Sequence, residues 1–445
     1  MPYCPFPAPL TALLRLLPLL LAALLACAHV HAPAREAGAA QAHAHARADY
    51  PDLAAALRQR VAGKAAPTPA LTALARRLTA GYADPRTRAL ALADWVRQHI
   101  QPLDTQIAPG GAAPRPAAAV LESGQADSLE SALLLQALLA AAGIDATPAL
   151  VGHAPDDGVP DPPTLAAFDD AIVYLPALGL YLAPHAPEAG AGYLPPALLG
   201  KPALLLASGG FAMTPMAQPQ SVRSAAVVDV RRDGRASVRL ERTYAGAAAE
   251  PARMAARALV RHAPPAAHAQ LAGYLLPEAR QFGHASLNSG SLDGGGDYRI
   301  ALSGTAAQRL ALPDAHALST ALPTSYGHLG TIGEAVAGLP RGGLSGSSGR
   351  AACAAIDAED QLRVRLPPDV RIAELPAPLS VVQGGVFYHA AYERQGNTVL
   401  IRRRLTFRSG RPLCGALEIK RMQPALARIE RDLRSRITLA RQPSQ

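Results

Sequence analysis

A chain of 445 residues with 49% hydrophobic content can bury a sizeable core and is long enough for two or three domains. Its formal charge of +9 is modest for that length, and the basic residues are almost all Arg, with Lys only at positions 64, 201 and 420. The longest basic run, Arg402-Arg403-Arg404, lies inside an alternating strand pattern, so the charge argues for a solvated surface and against nucleic-acid binding.

The first segment reads as an export signal. Leu10 to Ala26 is nearly all apolar, broken by Arg15 and Pro18. The clean part, Leu16 to Ala26, is too short to span a bilayer comfortably and suits the hydrophobic core of a signal peptide. It ends Leu24-Leu25-Ala26-Cys27, which has the look of a bacterial lipobox. Two outcomes stay open: a lipidated Cys27 as the mature N-terminus, anchoring the chain to a membrane, or ordinary cleavage after Ala32. The expected divisions are 1–27 signal, 28–50 linker, 51–217 first domain and 218–445 second domain. The linker is Ala, His and Pro without periodicity. Its His29, His31, His43 and His45 lack carboxylate or Cys support, so no metal site is expected.

Short helices are predicted over Pro51–Arg60 and Pro69–Ala80. Asp84 caps a third helix and Pro85 suits its first turn; it runs to about Ile100. A Pro/Gly/Ala loop fills Gln101 to Ala118. Asp127 and Glu130 then form a capping-box pattern ahead of a helix that is apolar almost all round, hence buried and central, with Gly143 as its stop. Strands follow at Ala146–Val151, Phe168–Leu175 and Gly179–Leu182. Past Gln218 the pattern turns to strands. Ala225–Val230 and Ala236–Arg242 flank Asp233-Gly234, a hairpin signal. Helix is expected over Pro251–Ala279, and strands over Tyr298–Ser303, Gln361–Leu366, Val386–Tyr392 and Thr398–Phe407. Gly342–Gly349 reads as an exposed loop, and Pro424–Leu439 as a closing amphipathic helix. The fold class is α+β. Cys353 and Cys414 are the two Cys of the folded part. In an oxidising compartment they either bridge or stay as two buried thiols.

The order of the first half resembles the transglutaminase-like domain of the papain-like superfamily, in the form found in exported bacterial proteins with a β-rich C-terminal region. The segments that carry the resemblance are Ala93-Asp94-Trp95-Val96-Arg97, Ala132 to Leu139, Ala141-Ala142-Gly143-Ile144, Phe168 to Val173 and Gly192 to Pro196. It implies a papain/transglutaminase-like α+β domain followed by a mostly β domain with a helical insert and a C-terminal helix. Members that do chemistry place a Cys at the start of the buried helix. The helix N-terminus stabilises a thiolate there and a His completes its activation, with an Asp orienting the His. The resemblance puts Ser128 at the Cys position, Asp170 at the His position and Ala183 at the Asp position.

No catalysis is therefore expected from this set. A hydroxyl is a weaker nucleophile than a thiol and needs a base in contact, and Asp170 is a poor replacement for imidazole. The leading expectation is a peptide- or protein-binding scaffold of the bacterial envelope, periplasmic or lipid-anchored, needing no cofactor. The alternative is a serine-type hydrolase or acyltransferase with Ser128 as nucleophile, His185 as base and Asp170 or Asp169 orienting it. It requires Ser128 Oγ near 3 Å from a His185 nitrogen. A third class, a structural protein whose β-rich half does the binding, is not separated from the first by sequence.

Overall fold

The computed structural model describes residues 49–103, 113–153, 158–262, 282–292, 295–306, 310–314, 319–324, 330–340 and 350–441. The signal, Cys27 and most of the linker with its four His lie outside them, as do the Gly342–Gly349 loop and residues 263–279 of the predicted insert helix. Among the described residues no helix is long and apolar enough to cross a membrane.

The first half begins with three helices, α1 (Tyr50–Val61), α2 (Pro69–Thr79) and α3 (Pro85–His99). Asp84 caps α3 by accepting the Thr87 amide, with Pro85 in the first turn as the sequence implied. A two-residue strand β1 (Gln101–Pro102), helix α4 (Ala117–Ser123) and strand β2 (Gln125–Ala126) lead to the central helix α5 (Ser128–Ala141). Helix α4 starts inside the stretch that composition marked as loop. Asp127 accepts the Glu130 amide at 2.8 Å, which is half of a capping box. The other half is absent because Arg115 takes the Glu130 carboxylate, at 2.9 Å from Nε and 2.6 Å from Nη2.

Helix α5 is buried on nearly every side, packed against α2, α3 and α4 and one face of a sheet. Its Leu133, Leu134, Leu135, Leu138 and Leu139 form the centre of the first hydrophobic core. Gly143, at φ +72°, ends it in a conformation L-residues avoid. The sheet has strand order β5-β4-β3-β6-β7, all antiparallel: β3 (Thr147–Val151), β4 (Asp170–Leu175), β5 (Leu180–Leu182), β6 (Pro202–Leu205) and β7 (Phe211–Met213).

The second half is built on an eight-stranded sheet. Strands β8 (Gln220–Val230) and β9 (Ala236–Gly246) form the predicted hairpin, turned at Gly234 with φ +76°. Helix α6 (Ala249–His262), β10 (Phe282–Ser289), β11 (Tyr298–Ala306), β12 (Ser319–Pro323), helix α7 (Ile332–Gly338), β13 (Arg350–Ala352), β14 (Ile356–Arg365), β15 (Val370–Glu374), β16 (Leu379–Gln383), β17 (Val386–Gln395), β18 (Thr398–Phe407) and β19 (Leu413–Gly415) follow. The sheet order is β10-β11-β9-β8-β14-β18-β17-β16, with β8–β14 the parallel pair. The Arg run on β18 divides by strand alternation. Arg402 and Arg404 face solvent and pair with Glu393 and Asp357, whereas Arg403 points into the core.

The chain ends differently from the sequence expectation. Helix α8 spans Ala416–Leu433, not Pro424–Leu439, and strand β20 (Arg436–Arg441) follows it. Glu418 caps the true start by accepting the Gly415 amide. Pro424 therefore lies within α8 rather than at its head. Ile437 and Leu439 are fully buried in a three-stranded sheet between β12 and β15, so period-2 pairing overrides the helical pattern there. Cys353 and Cys414 form a disulfide with Cα atoms 5.5 Å apart, inside the second core.

Residues Tyr50–Gln445 cluster as one compact unit. A buried ionic knot ties the two halves. Glu250 on α6 accepts from Arg97 on α3 at 2.9 Å and from Arg253 and Arg257 on its own helix. Burial works against the Glu250 carboxylate ion, and the three guanidinium groups more than compensate, holding its pKa below the usual range.

Candidate functional site

Sheet register brings the polar residues of the first half together. Val151, the last residue of β3, lies opposite Asp170, the first of β4. The chain continues from Val151 for two residues to His153. Strand β5 pairs Leu182 with Val173, and the turn beyond it delivers His185. Asp170 thus sits between two imidazoles. Its Oδ2 is 2.6 Å from His153 Nε2 and its Oδ1 is 3.0 Å from His185 Nε2. The neighbouring Asp169 accepts the His153 backbone amide at 2.6 Å, which fixes the segment carrying the ring.

The electrostatics favour an ionised carboxylate. Burial alone would raise the Asp170 pKa, but the hydrogen bonds from His153 and His185 outweigh it and hold the group far below the usual carboxylate range. The His153 pKa is raised, chiefly by its hydrogen bond to Asp170, with burial and the nearby Lys201 pulling the other way. With Asp170 acceptor-only, each Nε2 carries the shared hydrogen. His185 Nδ1 is then a buried nitrogen with no hydrogen-bonding partner. The His153 side chain is 46% exposed, against 17% for Asp170 and 13% for His185.

Ser128 opens α5, as expected, and is buried. Its Oγ accepts the Ala171 amide at 3.2 Å. Among the described residues no hydrogen bond joins Ser128 to His153 or His185. The pair His185 and Asp170 of the alternative set is therefore assembled, but its proposed nucleophile is bonded elsewhere. Ala183 is buried in a small apolar cluster with Tyr181 and Ala186, and its methyl group offers no acceptor. Asp170, expected only as a poor replacement for imidazole or as the partner of His185, is the hub of two histidines. Among the described residues no group of three His, Cys, Asp or Glu is placed to hold a metal ion.

His153 is the residue that sequence reasoning missed. Its signal was available. It lies two residues past a predicted strand, and pairing that strand with the next puts it beside Asp169-Asp170. Treating the strands singly concealed this.

A family model for the transglutaminase-like superfamily matches residues 72–156. The chain carries a transglutaminase-like domain. The match includes helix α5 with Ser128 and reaches His153, and stops short of Asp170 and His185. In fold, the chain is similar to a crystal structure of a candidate protease from Parabacteroides distasonis, with a TM-score of 0.54 and 12% identity. The likeness covers 88% of this chain, which spans 58% of the length of that one. At that identity it speaks to fold alone. No curated protein matches the chain in sequence.

Proposed function

We propose that the protein is an exported transglutaminase-like module that binds a peptide or protein in the bacterial envelope and does not perform Cys- or Ser-type acyl transfer. One observation carries this reading: among the described residues Ser128 Oγ accepts the Ala171 amide and is joined to neither imidazole, while both rings bond Asp170 through Nε2. A hydroxyl nucleophile needs a base within hydrogen-bond reach, and among the described residues neither imidazole hydrogen-bonds Ser128. A strongly ionised Asp170 is itself a weak base. The domain keeps the frame of the family, and the half-exposed His153 held on Asp170 offers a fixed polar group for recognising a peptide. Export, a membrane anchor at Cys27 and the division near residue 217 belong to the same proposal and rest on the sequence pattern.

The test compares the mature chain with Ser128→Ala and Asp170→Ala in two assays. One measures amine incorporation into glutamine peptides and hydrolysis of peptide esters. The other measures capture of envelope peptides. The expected outcome is no Ser128-dependent turnover, with capture weakened by Asp170→Ala and untouched by Ser128→Ala. Turnover abolished by Ser128→Ala overturns the reading in favour of a serine-type enzyme. Capture indifferent to Asp170→Ala removes the cleft as the binding surface.

A further inference from the structure

The chain has one Trp, and it is not in the core. Trp95 on α3 is half-buried: it packs against the first core, and it also lines a cavity of about 520 Å³ between α3, α6 and the segment before β11. That volume falls in the range of small-molecule sites, about 300–1,000 Å³. His99, one turn on, stacks on the indole with ring centroids 4.6 Å apart and planes 11° from parallel. Tyr82 and Tyr193 complete an aromatic wall. In a chain with only 4% Phe, Trp and Tyr, three such rings and a His ring around one cavity are a notable concentration.

The polar groups of this cavity fall into two sets. The floor is committed. Arg97 is bound to Asp94, Glu250 and the Pro187 carbonyl, and Arg253 to Glu250 and the Gly296 carbonyl. The wall is not. Among the described residues the Trp95 indole N–H, the Tyr82 and Tyr193 hydroxyls and Gln98 Oε1 make no internal hydrogen bond. His99 uses Nδ1 on the Trp95 carbonyl, and its Nε2 is likewise unengaged. An indole N–H, two hydroxyls, an amide oxygen and an imidazole nitrogen thus border the rings above the ionic floor.

We propose that this cavity binds a short neutral oligosaccharide. A pyranose presents an apolar C–H face and a rim of hydroxyl groups that both donate and accept. The aromatic wall suits the face, and the unengaged N–H, O–H and amide oxygen suit the rim. Charge selects among sugars. Asp94 and Glu250 are neutralised by arginines, and Asp297 lines the cavity without an ion pair among the described residues, so an anionic sugar meets an unopposed carboxylate. The cavity lining includes none of Ser128, His153, Asp170 and His185, and the inference goes beyond the peptide-binding reading, so either proposal stands or falls without the other.

Trp95 is a built-in reporter, since all indole fluorescence of the chain comes from it. The mature protein is titrated with N-acetylglucosamine trimer, cellotriose and trigalacturonic acid, with calorimetry in parallel. A neutral trisaccharide is expected to give a saturable emission change and heat, with a dissociation constant below about 1 mM. The acidic trimer is expected to bind at least about tenfold more weakly. Tyr82→Phe and Gln98→Ala, both on exposed side chains, should each weaken binding about threefold to tenfold with the fold intact by circular dichroism. Absence of both heat and emission change with both neutral sugars overturns the proposal. So does unchanged affinity in both variants, or tighter binding of the acidic trimer.

Discussion

Two carboxylates in this chain are each held by a pair of ring side chains, and they are held for different ends. Asp432 on α8 accepts from the Tyr388 and Tyr392 hydroxyls, each at 2.6 Å, and from Arg403 Nε at 3.1 Å. The Arg403 guanidinium continues to the Thr324 carbonyl at 2.8 Å and hydroxyl at 2.7 Å. Arg403 and Asp432 are almost wholly buried, and each of the three guanidinium nitrogens donates a hydrogen bond. Burial pushes the Tyr388 hydroxyl far up and the Tyr392 hydroxyl up, with Asp432 beside them adding to it and Arg403 opposing it. Asp170 also takes two ring partners, yet one of its imidazoles is half-exposed and the other keeps a buried nitrogen without a partner. A complete, dry network is what a fold needs to fix a helix against a sheet. An incomplete, half-wet one is where a ligand can still add hydrogen bonds.

Breaking the dry network should have the largest effect. Arg403→Ala leaves Asp432 buried with only two hydroxyl donors and removes the tie from β18 to α8. The expected loss is about 3–5 kcal/mol of unfolding free energy, read from the denaturant midpoint. A loss under about 1 kcal/mol would show that water enters the cluster and that the contrast drawn with Asp170 is one of degree.

The disulfide sharpens the same comparison, because the Asp170 half has no covalent staple among its described residues. Cys353 and Cys414 are 61 positions apart and close a loop that contains β14 to β18. Replacing both with Ser should cost about 2–4 kcal/mol, much of it through the unfolded chain. The stability of the first half, followed by hydrogen exchange in α5, should change less than that of β17 and β18. Equal loss of protection in both would mean that the halves unfold as one cooperative unit.

Local rules made much of the first half legible. Asp84-Pro85 marked a cap, Asp127 a second, Gly143 a stop, and the all-round apolar run of α5 its burial. These are contacts between residues near in sequence, and the residue types suffice. The second half was legible where a strand is long and alternating, as in β8, β9, β17 and β18. Short strands such as β6, β7 and β19 carry too few residues for a period to stand out, and only their partners stabilise them. The end of the chain misled because Arg436–Arg441 follows an amphipathic helix without a Gly or Pro between. Nothing local distinguishes its Ile437 and Leu439 from another helical turn. At the candidate site, Ser128 and Asp170 were placed by motif alignment. The meeting of His153 with Asp170 depends on strand register across residues 17 apart, which no local pattern encodes.

The smallest effect on stability, and the most telling one on the site, should come from Asp170→Asn. The carboxamide keeps the volume and removes the charge. The Asp170–His153 pair is partly solvated, so the change in unfolding free energy should be smaller than that of Arg403→Ala. Its pH dependence carries the information. Asp170 has a lowered folded pKa, so its contribution is present above the unfolded value, about 3.9, and fades as pH falls through the folded value. His153 has a raised one, so its contribution is full below about 6.5 and fades as pH rises through its folded value. Together they stabilise the cleft in a window between the unfolded Asp value and the folded His value. In Asp170→Asn that window should flatten, and the His153 pKa, followed by imidazole proton resonances, should drop back toward about 6.5. A His153 pKa that does not move would mean that the ring contacts Asp170 too rarely in solution to be held by it. The cleft would then resemble an open surface more than a recognition site.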